Sequence, residues 1–181
     1  MRFLLDAEQR AFAASLDALL TASDTPAVIR DWSRGEHASG RALWSRLAEA
    51  GVFALAVPET YEGGLGPRPV ELAVAFVELG RHAVPGPLVE TVAAAVILTG
   101  ADPGIAKRLL PVLASGGTMA TVGPDGPTPK QPADRSREPD LPSPPQGPYA
   151  LDGDAATLRL SWEPDGIRLS PGHGPVRPSL D

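Results

Sequence analysis

Proline divides this chain more sharply than any other residue type. Two thirds of its 21 prolines lie from Pro111 onward. Each one removes a backbone donor, fixes φ and pushes the preceding residue out of the helical region. Long helices therefore belong to the part before Thr118. From Gly123 to Pro148 the sequence reads GPDGPTPKQPADRSREPDLPSPPQGP. That stretch has mixed charge and almost no large apolar side chains, so burial cannot offset the entropy of ordering it. It reads as a linker or a long excursion. Docking to a proline-recognition domain is the competing reading. The expected organisation is a helical unit over 1–117, then a Pro-rich linker and an incomplete β unit over 118–181. No internal repeat is visible.

Composition removes several function classes. With 43% hydrophobic and 21% charged residues the chain is globular in type. Its 181 residues suffice for one domain with a sizeable core, or one domain and a small second one. The formal charge is −6, and the basic residues, mostly arginine, are scattered. No basic stripe tracks a phosphate backbone, so nucleic acid is not an expected partner. There is no cysteine, which excludes disulfides, thiolate metal sites, iron–sulfur clusters and a cysteine nucleophile. The apolar window Val92–Leu98 is too short to span a bilayer. Asp6 and Glu8 interrupt the N-terminus before a secretory apolar region forms. A soluble protein in the cytoplasm, with no membrane partner, is the expectation.

The helical part can be read in order. Asp6 and Gln9 form a capping box. Phe12, Leu16, Leu19 and Leu20 then make one apolar stripe, ending near Ser23. Thr25-Pro26 reads as an N-cap with proline at the first helical position, opening a short helix to Trp32. Arg34–Gly40 is turn-like. Arg41–Ala50 is the next helix, with Leu43, Trp44 and Leu47 on one side and Gly51 as its stop. Val52–Val57 is an apolar run too short for an independent helix, so it must be buried. Glu59–Gly66 is a glycine-rich loop. Pro69 opens a helix whose apolar positions are Val70, Ala73, Val74 and Val77, with Arg81 one turn on. Pro85-Gly86-Pro87 breaks it. Leu88–Thr99 (LVETVAAAVILT) is apolar nearly all round and should be central. Asp102-Pro103 caps a helix with Ile105, Leu109 and Leu113 inward, which Pro111 should bend or loosen. Ser115-Gly116-Gly117 ends it.

Beyond Thr118 the pattern turns to β. Thr118–Val122 is a short strand. Ala156–Trp162 alternates, with Leu158, Leu160 and Trp162 on one face and Thr157, Arg159 and Ser161 on the other. Glu163-Pro164-Asp165-Gly166 is a turn and Ile167-Arg168-Leu169 a returning strand. A hairpin alone is marginal in water, so it calls for a larger sheet.

Three segments, in order, carry a family resemblance. Glu49–Gly66 (EAGVFALAVPETYEGGLG) resembles the AGxxGLxVPExYGGLG signature of the acyl-CoA dehydrogenase family. A Glu-Leu-Gly-Arg run, Glu78 to Arg81, follows on the next helix, as in that family. Leu109–Gly116 (LPxLASG in type) is similar to the segment before the first strand of its middle domain. Glu62 is an insertion before the glycine pair, and Val77-Glu78 departs from the usual paired acidic residues. The fold expected of this chain is mostly α, an irregular helical bundle followed by a Pro-rich segment and a partial small β region. The resemblance implies an α-helical N-terminal domain, then a β-rich middle domain and a C-terminal helical bundle. It implies FAD as cofactor, an acyl-CoA substrate, and oxidation of the thioester to its 2,3-enoyl product, with a carboxylate taking the α-proton and hydride passing to flavin N5. A flavin motif like TEPxxGSD is not found; Thr121–Gly126 stands in its place. The C-terminal bundle that carries the base has no counterpart here. Pro148–Asp152 and Pro175–Asp181 are similar to divergent actinobacterial members that work as unlike-subunit complexes on bulky acyl-CoAs such as steroid side chains. A partial subunit with a second acyl-CoA dehydrogenase-type partner is therefore expected.

Individual residues carry less. Glu59 and Glu62 suit an acid/base pair or, more simply, a solvated loop. Gly63-Gly64-Leu65-Gly66 suits a phosphate cradle or a tight turn; it lacks the Lys-Ser/Thr of a P-loop, which favours the turn. His37, His82 and His173 lack i, i+4 partners and make no metal site. No GxSxG elbow exists. Arg81 reads as a cation at a helix C-terminus. Leu88–Thr99 is core, and an acyl tunnel only in addition. No catalytic residue is assigned, no cofactor-binding residue is singled out, and no metal is expected. Two functions follow: a subunit or fragment of an FAD-dependent acyl-CoA dehydrogenase, or a non-catalytic helical interaction or scaffold subunit, including a degenerate dehydrogenase remnant. Exposed apolar surface on Leu88–Thr99 would mark a neighbour supplied by a partner.

Overall fold

Asp6 starts the first helix as expected, and its geometry shows why. Its carboxylate accepts from Gln9 N at 2.8 Å, while Gln9 Oε1 accepts from Asp6 N at 3.1 Å. The computed structural model describes residues 4–124, 150–163 and 165–172. The helices are α1 (Ala7–Thr21), α2 (Thr25–Ser33), α3 (Ala38–Glu49), α4 (Pro69–Arg81), α5 (Leu88–Thr99) and α6 (Pro103–Ala114). A 3-10 turn, Phe53–Ala56, lies between α3 and α4, and the strands are β1 (Ala120–Pro124), β2 (Leu158–Glu163) and β3 (Gly166–Pro171). The fold is mostly α, as the sequence implies.

Several details differ from the sequence reading, each for a local reason. The cap of α2 is Asp24, not Thr25: Asp24 sits at φ 45° and its side chain accepts from Ala27 N, while Thr25 is already helical. Helix α3 starts at Ala38 rather than Arg41. Gly40 is inside this helix, and it is a glycine because Trp32 lies against it; a Cβ there would stand 2.3 Å from the Trp32 ring. On α4 the inward residues are Val74, Ala75, Glu78 and Leu79, whereas Val70 and Val77 are exposed. The inward stripe contains a carboxylate, so a search for apolar periodicity selects the wrong face. Helix α6 runs through Pro111 to Ala114 and buries Ala106, Leu110 and Leu113, with Ile105 and Leu109 partly covered.

Val52–Val57 is buried throughout, as a run with no solvent face must be. Trp44 stacks on Phe53 with ring centroids 4.2 Å apart, and its Nε1 donates to Gly116 O at 3.1 Å. Helix α5 is central on most sides, but Val89 and Val96 face out, 61% and 55% exposed.

The strands form one sheet in the order β1-β2-β3. β1 pairs parallel to β2 with Val122 opposite Leu160, and β2 pairs antiparallel to β3 with Leu160 opposite Leu169. The expected inward face is only partly inward: Leu160 is buried, but Trp162 is exposed, as is its cross-strand partner Ile167. Those two sit at the turn end of the hairpin. Both strands begin two residues later than the pattern suggests, because Met119 O is taken up by Thr157 N and Leu158 N ahead of the ladder. Met119, Ala120, Ala155 and Leu160 join the helices in one hydrophobic core. The Pro-rich reading falls on residues that, apart from Gly123 and Pro124 in β1, lie outside the described residues, as do the Pro175–Asp181 tail and His173.

Candidate functional site

The glycine-rich loop is a corner. Gly64 N donates to Tyr61 O, Leu65 N to Ala54 O, Gly66 N to Val57 O and Arg68 N to Leu55 O, at 2.9 to 3.0 Å. Gly63 and Gly66 take φ 77° and 82°, which only glycine adopts cheaply. A Cβ at Gly64 would lie 2.2 Å from Pro58 O. The amides of Leu65, Gly66 and Arg68 are thus taken up by carbonyls of the 3-10 turn and its flank, which makes this loop a tight structural corner. Glu59 packs beside Gly66, whereas Glu62 lines a recess of about 450 Å³ with Thr60, Tyr61, Pro103, Lys107 and Pro111. The loop does not gather Glu59 and Glu62 around one recess.

A second concavity, of about 250 Å³, lies between the end of α4 and the start of α5. Phe76, Leu79, Val84, Leu88, Val89 and Leu151 supply its apolar wall. Among the described residues, Glu90 is its one charged lining residue. The groove exists because Pro85-Gly86-Pro87 turns the chain sharply: Gly86 sits at φ 111°, and a Cβ there would touch the Trp32 ring at 3.5 Å. Leu151 closes the groove from the segment before β2, held by Thr121 Oγ1, which donates to Leu151 O at 2.7 Å. Such a surface suits an apolar group, at roughly 0.8 kcal/mol per buried methylene. Sequence reading pointed at Leu88–Thr99 as core and possible tunnel; the groove uses its first turn and the exposed Val89.

Two polar clusters tie elements together. Asp17, Glu78 and His82 bring one ligand atom each within 4.8 Å of one another. His82 Nε2 lies 2.9 Å from Asp17 Oδ1, and Arg81 Nη1 donates to both oxygens of the buried Glu78 at 3.0 and 3.2 Å. Arg81 and His82 are thus engaged at the α1–α4 contact, reinforced by Gln9 Nε2 donating to Glu71 Oε1 at 3.2 Å. No local spacing signals this cluster, since Asp17 comes from another helix. In the second cluster Trp32 Nε1 donates to Asp152 Oδ1 at 2.9 Å, and His37 Nε2 lies 3.4 Å from Asp154 Oδ2. Arg41 Nη2 donates to Ala155 O at 2.8 Å. Burial raises the Asp152 carboxyl above its ordinary 3.8; the Trp32 hydrogen bond opposes this, Asp154 adds to it and His37 offsets it.

The order of helices, 3-10 turn, glycine corner and first strand matches a known domain. The family model described as "Acyl-CoA dehydrogenase, N-terminal domain" matches residues 6–117. The chain belongs to the acyl-CoA dehydrogenase family. Solved structures agree on the fold. A glutaryl-CoA dehydrogenase from Mycobacterium smegmatis in complex with FADH2 superposes with a TM-score of 0.63 at 19% identity, covering 92% of this chain and 46% of its own. The ChsE4–ChsE5 complex from Mycobacterium tuberculosis gives 0.65 at 18%, covering 93% and 47%. An acyl-CoA dehydrogenase complexed with FAD from Bacillus anthracis gives 0.55 at 20%, covering 92% and 26%. The chain thus spans about half the length of the first two. No curated protein matches it.

The family implies a flavin, and the α4–α5 groove does not fit its pyrophosphate. The glycine corner spends the amides of Gly64, Leu65 and Gly66 on its own fold, and among the described residues the charge lining the α4–α5 groove is the anion Glu90. Among the described residues no helix is long and apolar enough to cross a membrane.

Proposed function

We propose that this chain supplies the acyl-binding helical half of an acyl-CoA dehydrogenase assembly. The apolar groove between α4 and α5 is the observation that carries this reading. Its part is to bind the acyl group of a CoA thioester and exclude water from it. The complete assembly carries out FAD-dependent α,β-dehydrogenation. The flavin seat and the catalytic carboxylate come from outside the described residues, and a second acyl-CoA dehydrogenase-type subunit is the expected source. Two observations support a partner: a relative that is itself a two-component complex, and the exposed Val96 of α5. The work is assigned to the cytoplasm.

The test is co-expression of the full chain with an acyl-CoA dehydrogenase-type subunit encoded beside it. A co-purifying complex whose visible flavin absorbance bleaches when an acyl-CoA is added without oxygen supports the proposal. A colourless chain that retains no partner and no acyl-CoA would replace it with a non-catalytic interaction or scaffold role.

A further inference from the structure

Two residues on the α4–α5 groove contradict the local rules of the backbone, and in opposite senses. Gly80 lies inside α4, near its end, in an ordinary helical conformation. Nothing there needs a glycine: a Cβ at this position would meet no atom within 4 Å. Ala83, three residues on, sits at φ 49°, in the left-handed region that glycine favours and alanine resists. Among the described residues, the two other non-glycine residues at positive φ are aspartates, Asp24 and Asp152, a type that visits this region more readily. So the glycine stands where the fold does not ask for it, and is missing where the fold does. Both residues line the groove.

Folding alone explains neither choice. Exchanging the two types would suit the helix and its left-handed exit better. Residues that break a local rule without a packing reason concentrate where a chain meets a ligand. Gly80 brings no side chain to the groove lining, and Ala83 brings a methyl to it one turn later. We infer that Gly80 and Ala83 set the width of this groove and so select the cross-section of the acyl group it takes. The inference rests on the acyl-binding reading above. It assigns specificity to this chain and not to whatever holds the flavin. A group that is broad where it passes Gly80 and narrow at Ala83 fits this profile.

The experiment compares the full-length wild type with Gly80→Ala, Gly80→Leu and Ala83→Gly. Two probes are titrated calorimetrically: octanoyl-CoA, which is straight, and cyclohexylacetyl-CoA, which is broad. Carbon-labelled alanine methyl resonances report whether the probe reaches Ala83, and thermal midpoints report folding. Gly80→Leu is expected to keep or raise the thermal midpoint. It should weaken cyclohexylacetyl-CoA by about tenfold or more and octanoyl-CoA by less than about threefold, the scale on which pockets discriminate by a few carbons. Gly80→Ala should fall between. Ala83→Gly should raise the midpoint and shift preference toward the broad probe. If the wild type binds and moves the Ala83 methyl, but all variants bind both probes equally, the width assignment fails and the acyl reading stands. If the wild type binds neither probe and the methyl does not move, the acyl reading falls and takes this inference with it. A lowered midpoint in Gly80→Leu would mean that packing requires the glycine, which also overturns it.

Discussion

Thr91 is the joint between the helices and the sheet, and its removal has a calculable cost. It is 1% exposed on α5. Its hydroxyl donates to Ala120 O at 3.1 Å and accepts from Ala120 N at 2.9 Å. Strand β1 is at the edge of the sheet, so those two groups, on the side away from β2, have no strand to pair with. Ala120 is fully buried, so water does not replace the threonine. Thr91→Val keeps the shape and deletes both bonds. Each buried backbone group left unpaired costs about 1–3 kcal/mol, which puts the total at about 3 kcal/mol. Thr91→Ser keeps both bonds and loses one methyl, for about 1 kcal/mol. With a urea slope of roughly 2 kcal/mol/M, Thr91→Val should lower the unfolding midpoint by about 1.5 M and Thr91→Ser by about 0.5 M. A Thr91→Val protein as stable as Thr91→Ser would refute the idea that this hydroxyl holds β1.

Other outcomes follow from the same geometry. Asp152→Asn keeps an oxygen for Trp32 and tolerates the φ of 48°. Because the folded-state pKa is raised, the folded chain holds its proton more tightly than the unfolded chain. Stability is therefore lost as pH climbs from the ordinary 3.8 through the raised value. The variant should be more stable than wild type at neutral pH, and the gain should vanish in urea melts run below that range. Gly64→Ala drives a Cβ into Pro58 O and should cost about 3 kcal/mol or more, seen as a large loss of soluble protein or midpoint.

How much of this was legible depended on whether the determinant was local. The capping box, the Asp102-Pro103 start, the bounds of α5 and the hairpin turn are fixed by neighbours a few residues apart, and reading the chain finds them. The inward face of α4 is not. It is chosen by α1 and the 3-10 turn, and it places Glu78 inside because Arg81 one turn away can pair with it. Gly40 looks like a turn residue until Trp32 is seen lying on it. The groove was half visible: the Pro-Gly-Pro break and the apolar helix are in the sequence, but Leu151 arrives from beyond the proline-rich stretch. The cluster of Asp17, Glu78 and His82 was invisible, since isolated histidines gain meaning only when helices pair.

The change of pattern at Thr118 is a boundary in the sequence, yet the core crosses it. Met119, Ala120, Ala155 and Leu160 are each at most 3% exposed, and they pack in the same cluster as Leu47, Phe53 and Leu98. Polar contacts cross it too. Trp32, Arg41 and Thr91 all donate to acceptors beyond residue 118, and a chain cut after Gly117 would strand them. A fragment of 1–117 would expose the apolar wall that β1 covers and leave the Thr91 hydroxyl in an emptied pocket. The full chain is therefore expected to unfold in one cooperative step, and the fragment to be markedly less stable. Native-state amide exchange tests this directly: the amides of α5 and of β2 should open with the same free energy and the same denaturant dependence. If β2 exchanges at a lower free energy while α5 stays protected, the helices and the sheet are separate units, and Thr91 is a contact between them instead of a joint within one.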